Sequence, residues 1–412
     1  MRFLFLSNMY PPHDRGGFEQ LCFEMTTLLR QRGHTVRVLT SQYGVTDQTP
    51  NEPDVIRALH LEADMNYYRP RAFFTQRRQQ QAADLDTLRR TIEEFKPDRC
   101  VVWGMWNFSR TLPQLIEQVL PGRVAYYIAS YWPNEPDLHA QYWNLPANKA
   151  LGALIKAPLR ALALAQLKHE GYPPRLQLAR VRCVSQYVRD TLVQAKAVPE
   201  STGVLFVGID PAPFLRPIDP AGPTVNAPLR LVYFGSLVAD KGVHTAIEAV
   251  IELKRRGLAD KVHLTILGGG HPAYEAQLRS MTTEAGLTDR VQFVGRVPRA
   301  EVPAWLSRND VFLFTSIWAE PMARSVMEAM AAGLLVIGSE VGGQIEMMQH
   351  EQNALTYPAG NAVALANEIE VALNDPALRV RLARAGQDMI LERFTLQRMV
   401  TDFEAWLNDL TV

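Results

Sequence analysis

Two glutamates in the second half of the chain have a type and spacing suited to binding a sugar. Glu320 and Glu328 lie eight residues apart. Pro321 favours the first turn of a helix and Gly333 favours its end, so the two acids would be separated by a little over two turns. Both carboxylates could then reach one cleft and accept hydrogen bonds from sugar or ribose hydroxyls. Taken alone, the pair is explained more simply by Glu320 as a capping residue and Glu328 as a solvated helix side chain.

The start of the same predicted helix offers backbone donors. The first N–H groups of a helix have no intrahelical partner, and here they belong to the segment around Met322, Ala323 and Arg324. These groups would face a ligand bound next to Glu320.

A lysine follows a glycine turn at the end of a predicted strand. Gly235 and Ser236 open this turn, and Lys241 lies five residues beyond Ser236, at the start of a helix. Its ammonium group could bind a diphosphate with support from the helix dipole; a solvated lysine at a turn is the alternative. Gly268 repeats the strand-to-glycine design at the next strand, where the backbone could approach a nucleotide.

Another glycine loop lies near the N-terminus. Gly16 and Gly17 follow the first predicted strand and precede a helix, so their backbone could approach an anionic or hydroxylated ligand. The loop does not have the spacing of a dinucleotide-binding fingerprint. An ordinary surface loop is the alternative.

Strands alternate with helices throughout the chain, which indicates parallel, doubly wound sheets. The strands predicted in the first half are residues 3–6, 35–40, 99–103, 124–129 and 181–185. The strands predicted in the second half are residues 229–234, 262–267, 291–294, 311–314 and 334–337. A chain of 412 residues also exceeds one ordinary core. We therefore predict two Rossmann-like α/β domains.

A proline-rich segment separates the two halves. Six prolines lie between residues 211 and 228, a composition that favours a semi-rigid linker. We predict an N-terminal domain of residues 1–206, a linker of residues 207–228 and a C-terminal domain of residues 229–395. The last helix, 396–412, is expected to complete the N-terminal domain.

Composition argues against several classes of function. The net charge is zero, which disfavours nucleic acid as a partner. Three widely separated cysteines argue against a disulfide framework or zinc cluster and favour a reducing cytoplasm. Asp84 and Asp86 match a D-x-D metal pattern, but their polar helical context favours a solvated helix face. We therefore predict neither a metal nor a bound cofactor.

Two segments of the first half combine apolar and basic residues. Residues 67–78 interleave four aromatics with four arginines, and residues 149–168 mix an apolar helix with basic side chains. Both patterns suit shallow attachment to an anionic leaflet or a lipid-linked acceptor, although either segment could simply pack on its domain. The expected location is the cytoplasm, with peripheral contact to the inner face of the membrane and no transmembrane span.

Several motifs, in order along the chain, resemble those of the retaining GT-B glycosyltransferases of family 4. Residues 320–328 resemble the E-x7-E signature of that family. Four other segments resemble further motifs of the family. Residues 181–188 resemble V-S-x-x-V and residues 207–210 resemble N-G-V-D, while residues 235–242 resemble G-R-L-x-x-x-K-G and residues 342–346 resemble G-G-x-x-E. The resemblance implies the GT-B fold, with two Rossmann-like doubly wound domains facing across a cleft.

The resemblance also implies an activity. The protein would transfer a hexosyl group from a UDP- or GDP-linked sugar to a glycan or lipid-linked acceptor, in cell-surface polysaccharide or glycoconjugate biosynthesis. Glu320 would contact the donor-sugar hydroxyls, Glu328 the ribose and Lys241 the diphosphate. The departing phosphate would take the acceptor proton on the face where the new bond forms. The protein would contribute electrostatic stabilisation and domain closure.

Further donor contacts follow from the same resemblance. Gly16 and Gly17 would admit the diphosphate from the N-terminal domain. The backbone of Val294 and Gly295 would flank the base, and residues 342–343 would shape the floor of the cleft. The other predicted donor contacts lie in the phosphate loops and at the helix start: Gly235, Ser236, Gly268, Met322, Ala323 and Arg324.

Two positions depart from the family pattern. Ser236 replaces an arginine, so Arg324 or Arg15 would have to supply the missing positive charge. Many relatives carry a histidine after the fourth predicted strand, near the reacting sugar, whereas this chain has Ser130. Ser130 could still offer a hydroxyl group, and the nearby His139 is not an equivalent. A catalytically weak sugar-nucleotide-binding subunit is therefore the alternative, while the two-glutamate segment argues against a sugar-nucleotide epimerase.

Overall fold

The structure, a computed structural model, describes residues 1–14, 16–64, 67–147, 150–218 and 227–409. Contacts divide the chain into two compact units. Unit 1 comprises Met1–Val184, Val188–Leu205 and the segment from Val400 onward. Unit 2 comprises Ser185–Tyr187 and Phe206–Met399.

Unit 1 is built on a parallel sheet. Its strands are β1 (Arg2–Ser7), β2 (Thr35–Ser41), β3 (Val55–Leu59), β4 (Arg99–Val102), β5 (Val124–Ile128), β6 (Val181–Cys183) and β7 (Gly203–Val204). The helices along this part of the chain are α1 (Gly17–Gln31), α2 (Pro70–Thr75), α3 (Arg77–Phe95), α4 (Thr111–Val119), α5 (Leu138–Asn144), α6 (Ala150–His169) and α7 (Gln186–Gln194). The strand order is β3-β2-β1-β4-β5-β6-β7.

Continuous apolar runs produce the central strands of unit 1. β1 reads RFLFLS and is buried from its second residue onward, as expected for a parallel strand covered on both faces. The strand order reverses between β1 and β4. Ligands of doubly wound sheets bind at the carboxyl ends of the strands next to such a reversal. The loop after β1 contains Gly16, and Ser130 lies two residues beyond β5.

Unit 2 contains a second parallel sheet. Its strands are β8 (Leu229–Phe234), β9 (Val262–Leu267), β10 (Val291–Gly295), β11 (Val311–Phe314), β12 (Leu335–Ser339) and β13 (Leu355–Tyr357). The helices in the rest of the chain are α8 (Val243–Arg255), α9 (Pro272–Glu284), α10 (Val302–Leu306), α11 (Arg324–Ala331), α12 (Ala362–Asn374), α13 (Pro376–Arg393) and α14 (Leu396–Asn408). The order β10-β9-β8-β11-β12-β13 reverses between β8 and β11.

The described part of the predicted linker is bonded to unit 2. Arg216 donates hydrogen bonds to the carbonyl oxygens of Ala332 at 2.5 Å and Asn309 at 3.0 Å, and also to that of Ser307. Residues 219–226 lie outside the described residues. The prolines before residue 218 therefore belong to a segment that is held on unit 2.

The last helix contributes to the core of unit 1. The ring of Phe403 lies 6.1 Å from that of Phe3 and 6.0 Å from that of Phe5. Glu404 accepts a hydrogen bond from Arg32 Nη1 at 2.6 Å. The C-terminal part of α14 thus covers β1.

Asp84 does not lie on a solvated helix face, so that prediction is wrong. It is buried on α3, and its Oδ1 pairs with His60 Nδ1 at 2.7 Å. Burial raises the pKa of Asp84, against the opposing effect of its hydrogen bonds with His60. The cause is His60, just beyond β3, a half-buried partner that the helix pattern alone does not indicate. Asp86 is exposed and pairs with Arg90 at 3.1 Å.

The described residues show neither a metal cluster nor a membrane-spanning helix. Within the described ranges, no group of three His, Cys, Asp or Glu residues is arranged to hold a metal ion. None of the helices in the described part of the chain combines the length and the hydropathy that spanning a bilayer requires.

Candidate active site

The loops after β8 and β11 are bonded to each other at the strand-order reversal of unit 2. Lys241 ends a short 3-10 turn, Ala239–Lys241. Thr315, the first residue after β11, donates from Oγ1 to the carbonyl oxygen of Lys241 at 2.8 Å. Gly242 has a φ of +61°, and a Cβ atom there would collide with the carbonyl oxygen of Thr315. Glycine at this position therefore allows the two loops to approach and position Lys241.

Lys241 and Glu320 form an ion pair between these loops. The Lys241 ammonium group contacts Glu320 Oε1, and the same oxygen accepts a hydrogen bond from Ser316 Oγ at 3.0 Å. Glu320 is only 5% exposed, whereas the Lys241 side chain is 32% exposed. Lys241 Nζ also lies 5.7 Å from the ring centroid of Trp318. The site thus presents a partly accessible cation next to a buried carboxylate.

Glu328 is paired with an arginine that sequence reasoning did not identify. Glu328 lies on α11 and is completely buried. Arg299 donates from Nη1 to Glu328 Oε2 at 3.2 Å and from Nη2 to Oε1. This bidentate contact compensates the buried negative charge. A signal was present in the sequence, because Arg299 follows the strand whose end, at Val294 and Gly295, was predicted to flank the base.

Helix α11 begins at Arg324, so the start predicted at Pro321 is wrong. The carbonyl oxygen of Glu320 accepts a hydrogen bond from Gly343 N at 2.8 Å. This long-range bond holds the segment before the helix in a non-helical conformation. The N-cap residue, Ala323, makes no side-chain capping bond. The helix start therefore keeps its partial positive charge close to the glutamate segment.

The remaining predicted positions around the helix and the first glycine turn differ in exposure. Met322 is buried, and Ala323 and Arg324 are half-buried. Ser236 is exposed, and its carbonyl oxygen accepts a hydrogen bond from the Tyr233 hydroxyl at 2.9 Å. The side chain of Ser236 thus lies on the accessible side of the turn.

Three predicted backbone contacts lie side by side at the ends of neighbouring strands. Gly235 N donates to the carbonyl oxygen of Leu267 at 3.0 Å, and Gly268 N donates to that of Gly295 at 2.9 Å. Gly268 has a φ of +139°, and a Cβ atom there would collide with the carbonyl oxygen of Gly235. Val294, also predicted, is half-buried beside them. These positions form a continuous backbone surface that a nucleotide could approach.

A second glycine pair packs on the backbone of the glutamate segment. Gly342 has a φ of +55°, and a Cβ atom there would collide with the carbonyl oxygen of Glu320. A Cβ atom on Gly343 would collide with the carbonyl oxygen of Pro321. The position of Glu320 therefore depends on both glycines.

Glu346 connects two of the motifs that resemble the family, residues 342–346 and residues 181–188. Its carboxylate accepts hydrogen bonds from Gln186 N at 2.9 Å and Tyr187 N at 2.7 Å, within unit 2. These two residues begin α7. The carboxylate of Glu346 thus binds backbone N–H groups of a first helical turn, which lack intrahelical acceptors.

Replacing Gly342 with Ala should destabilise unit 2 and displace Glu320. The left-handed conformation costs a non-glycine residue about 1–2 kcal/mol, and the collision adds about 1–3 kcal/mol. We therefore expect the free energy of unfolding to fall by about 2–5 kcal/mol in urea denaturation. Gly257→Ala is the control, because Gly257 has a φ of +74° but its Cβ would meet no atom within 4 Å. If the free energy of unfolding fell equally in the two variants, the collision at Gly342 would not be the cause.

The residues predicted in unit 1 follow the ends of its strands. Gly16 is the N-cap of α1 and Gly17 its first residue, and both are exposed. Ser130 is half-buried. Their roles toward the donor and the reacting sugar stay predictions. Arg15 lies outside the described residues.

His139 is part of the core of unit 1. Its Nδ1 bonds to the Tyr68 hydroxyl at 2.8 Å, and its Nε2 lies 3.5 Å from Glu62 Oε1. Burial tends to raise the pKa of Glu62, but the positive charge of His139 and the hydrogen bonds from His139, Tyr172 and Ser109 outweigh it and lower that pKa. These contacts account for the position of His139 without any role toward a sugar.

Solved structures match the whole chain. A structure of Anabaena Alr3699/HepE in complex with UDP has a TM-score of 0.67 at 19% identity and covers 99% of both chains. The structure of WaaG, a glycosyltransferase involved in lipopolysaccharide biosynthesis, has a TM-score of 0.64 at 18% identity and covers 99% of this chain and 100% of that one. The protein therefore has the GT-B fold, and the predicted α/β class with two doubly wound sheets is confirmed.

Sequence comparison identifies the family. Residues 219–389 match the model described as glycosyl transferases group 1. The lipopolysaccharide core biosynthesis glycosyltransferase LpsD of Rhizobium meliloti (strain 1021) is 35% identical over 276 residues, covering 65% of this chain and 74% of that protein. The amylovoran biosynthesis glycosyltransferase AmsK of Erwinia amylovora is 32% identical over 212 residues, 50% of this chain and only 48% of that protein. The chain belongs to the glycosyl transferases group 1 family and is a glycosyltransferase.

Proposed function

We propose that the protein is a retaining hexosyltransferase that uses a nucleotide-sugar donor and a glycan or lipid-linked acceptor. The observation that carries this proposal is the pair of Lys241 and Glu320, which lies close in the chain to the N-terminus of α11. A cation and a helix N-terminus suit a diphosphate, and a carboxylate suits sugar hydroxyls.

The relatives support the class of donor and product. LpsD and AmsK are named for lipopolysaccharide core and amylovoran biosynthesis, and structures of HepE contain UDP and UDP-glucose. A GDP-mannose-dependent mannosyltransferase of Mycobacterium tuberculosis (strain CDC 1551 / Oshkosh) is 29% identical over 238 residues. We therefore propose a UDP- or GDP-linked sugar as donor and a cell-surface polysaccharide or glycoconjugate as product.

In the proposed reaction, the bond between the anomeric carbon and the leaving phosphate oxygen breaks, and its electron pair stays with the phosphate. Lys241 and the start of α11 stabilise the developing negative charge. The leaving phosphate takes the proton of the acceptor hydroxyl, whose oxygen bonds to the anomeric carbon on the same face. The anomeric configuration is thereby retained. Glu320 orients the sugar through its hydroxyls, and the proposal includes no metal ion or bound cofactor.

The nucleotide would lie across the backbone surface formed by Gly235, Gly268 and Gly295. Glu328 would accept hydrogen bonds from the ribose hydroxyls on the lone pairs that Arg299 does not use, because a carboxylate offers about four acceptor sites. Arg299 is therefore an additional residue that we propose for nucleotide binding.

Thermal unfolding with UDP-, GDP- and ADP-sugars tests the donor. A ligand at 100 times its Kd stabilises a protein by about 2.7 kcal/mol, so we expect one UDP- or GDP-sugar to raise the Tm by a few degrees. The shift should persist in EDTA. The free sugar is the control and should give no shift. A protein that no nucleotide-sugar stabilises would contradict the proposal.

The family pattern has an arginine at the position of Ser236, and we propose that Arg324 supplies the missing positive charge. It is half-buried and begins α11, beside the glutamate segment. Arg324→Ala should weaken UDP or GDP binding about ten- to hundredfold in calorimetry, because a hydrogen bond to a charged group contributes about 1.5–3 kcal/mol. Arg308→Ala is the control, since Arg308 is exposed and packs on Trp305. An unchanged Kd in Arg324→Ala would exclude this role.

A catalytically weak sugar-nucleotide-binding subunit is the second candidate. The exposed Ser236 and the presence of Ser130 in place of a histidine favour it. Donor turnover separates the two candidates. Binding without transfer or hydrolysis would favour the subunit.

We include a cytoplasmic location in the proposal. Cys22, Cys100 and Cys183 are free and buried, and burial raises the pKa of each thiol. Such thiols are unreactive, and free cysteines suit a reducing compartment.

A further inference from the structure

Helix α6 of unit 1 has an apolar face that no part of the described chain covers. Leu154 is 74% exposed and Leu162 is 57% exposed. The exposed apolar residues recur at helical spacing and therefore share one face: Leu154, Pro158, Ala161, Leu162 and Ala165. We call this set the outer face of α6.

The opposite face of α6 packs against other elements of unit 1. Ala163 and Leu167 are buried in a cluster with Phe73, Trp143 and Tyr172. This aromatic cluster fixes the orientation of the helix. The outer face is therefore held at the surface and cannot turn inward.

A groove opens next to the outer face, between α2, α5 and α6. Its cavity volume is about 1090 Å³, and its lining is mainly apolar and aromatic. Leu145 and Ile155 lie on its wall and are themselves more than 60% exposed. On the inner side, the rings of Tyr68 and Tyr142 stack at 4.0 Å. The groove and the outer face thus form one continuous apolar surface.

Basic residues border this surface. Arg71 lies on the groove, and Arg160 and Lys168 lie along α6, which has no acidic residue in its sequence. The nearby acid Glu170 is already paired with Arg77 and Arg78 at the other side of the helix. The border is therefore positively charged.

We propose that unit 1 docks on an anionic lipid bilayer through the outer face of α6 and the adjoining groove. An apolar helix face with basic flanks inserts between lipid headgroups, and its cations pair with anionic lipid. A second copy of this chain fits less well, because a two-fold interface pairs the same patch of both copies and would bring two positively charged borders together. The proposal uses unit 1 alone and does not depend on the donor chemistry proposed for unit 2.

Vesicle flotation of the full chain tests the proposal. The wild-type protein should float with phosphatidylcholine vesicles that contain one third phosphatidylglycerol, and not with pure phosphatidylcholine. Leu154→Glu/Leu162→Glu should reduce binding at least tenfold, because charges then replace the inserted side chains. Lys168→Gln should weaken it about fivefold, the contribution of one basic residue near an anionic surface. Added salt should weaken wild-type binding in the same direction.

The controls separate docking from misfolding and from self-association. Val363→Glu places the same charge on an exposed apolar residue of α12 in unit 2 and should float like wild type. The double variant should keep the wild-type urea unfolding curve and the wild-type response to nucleotide-sugars. Equal flotation of wild type and the double variant would overturn the proposal. The proposal would also be overturned if light scattering showed a wild-type dimer that the double variant abolishes, while neither protein binds vesicles.

Discussion

Glu320→Gln should give a folded protein that transfers sugar about 100- to 1,000-fold more slowly. Glutamine keeps the shape of the side chain and its carbonyl can still accept the hydrogen bond from Ser316, but it removes the charge paired with Lys241. It also replaces the carboxylate proposed to hold the sugar hydroxyls as they shift in the transition state. Losing one such group in an enclosed site typically costs this factor in kcat.

The same variant should bind the nucleotide at least as tightly as the wild type. In the free protein, the Glu320 carboxylate competes with donor phosphates for the Lys241 ammonium group. Removing that charge removes the competitor, so kcat should fall while the Kd of UDP or GDP does not rise. Glu284→Gln, at the exposed end of α9, is the control. Wild-type turnover in Glu320→Gln would exclude the proposed role of this carboxylate.

The central strands could be predicted from the sequence. β8, β9 and β11 have the bounds that the apolar runs indicated, because a parallel strand covered on both faces needs a continuous apolar segment. The strands β3, β7 and β13 were not predicted. β7 has only two residues and β13 only three, so neither carries a periodic pattern long enough to recognise.

The site could be predicted only in part, because its geometry depends on distant contacts. Residues that follow strand ends, such as Lys241, were found from local patterns. The pairing of Glu328 with Arg299 was not, since 29 residues separate them. The start of α11 was wrongly predicted for a similar reason: the bond from Gly343 to Glu320 comes from a different loop. The helix propensity of the residues around Pro321 cannot indicate this bond.

Lys241→Met should weaken donor binding and reduce transfer more than any other change near the diphosphate. Methionine keeps the apolar stem of the lysine but removes the only cation that the structure places on Glu320 within the described residues. The leaving phosphate then develops charge without that stabilisation, and we expect kcat/KM to fall about 1,000-fold. Lys241→Arg keeps the charge and should recover part of the activity. Lys261→Met, at an exposed position, is the control and should match wild type.

Stability measurements on the same variants separate the ion pair from the chemistry. In Lys241→Met the buried Glu320 carboxylate loses its opposite charge, so the free energy of unfolding should fall by about 1–2 kcal/mol. This is less than the 3–5 kcal/mol of a fully buried pair, because about a third of the Lys241 side chain is exposed and water screens its charge. Lys241→Met/Glu320→Gln removes both charges and should regain most of that stability while remaining inactive. A double variant as unstable as Lys241→Met would show that the loss comes from packing of the lysine stem and not from the unpaired carboxylate.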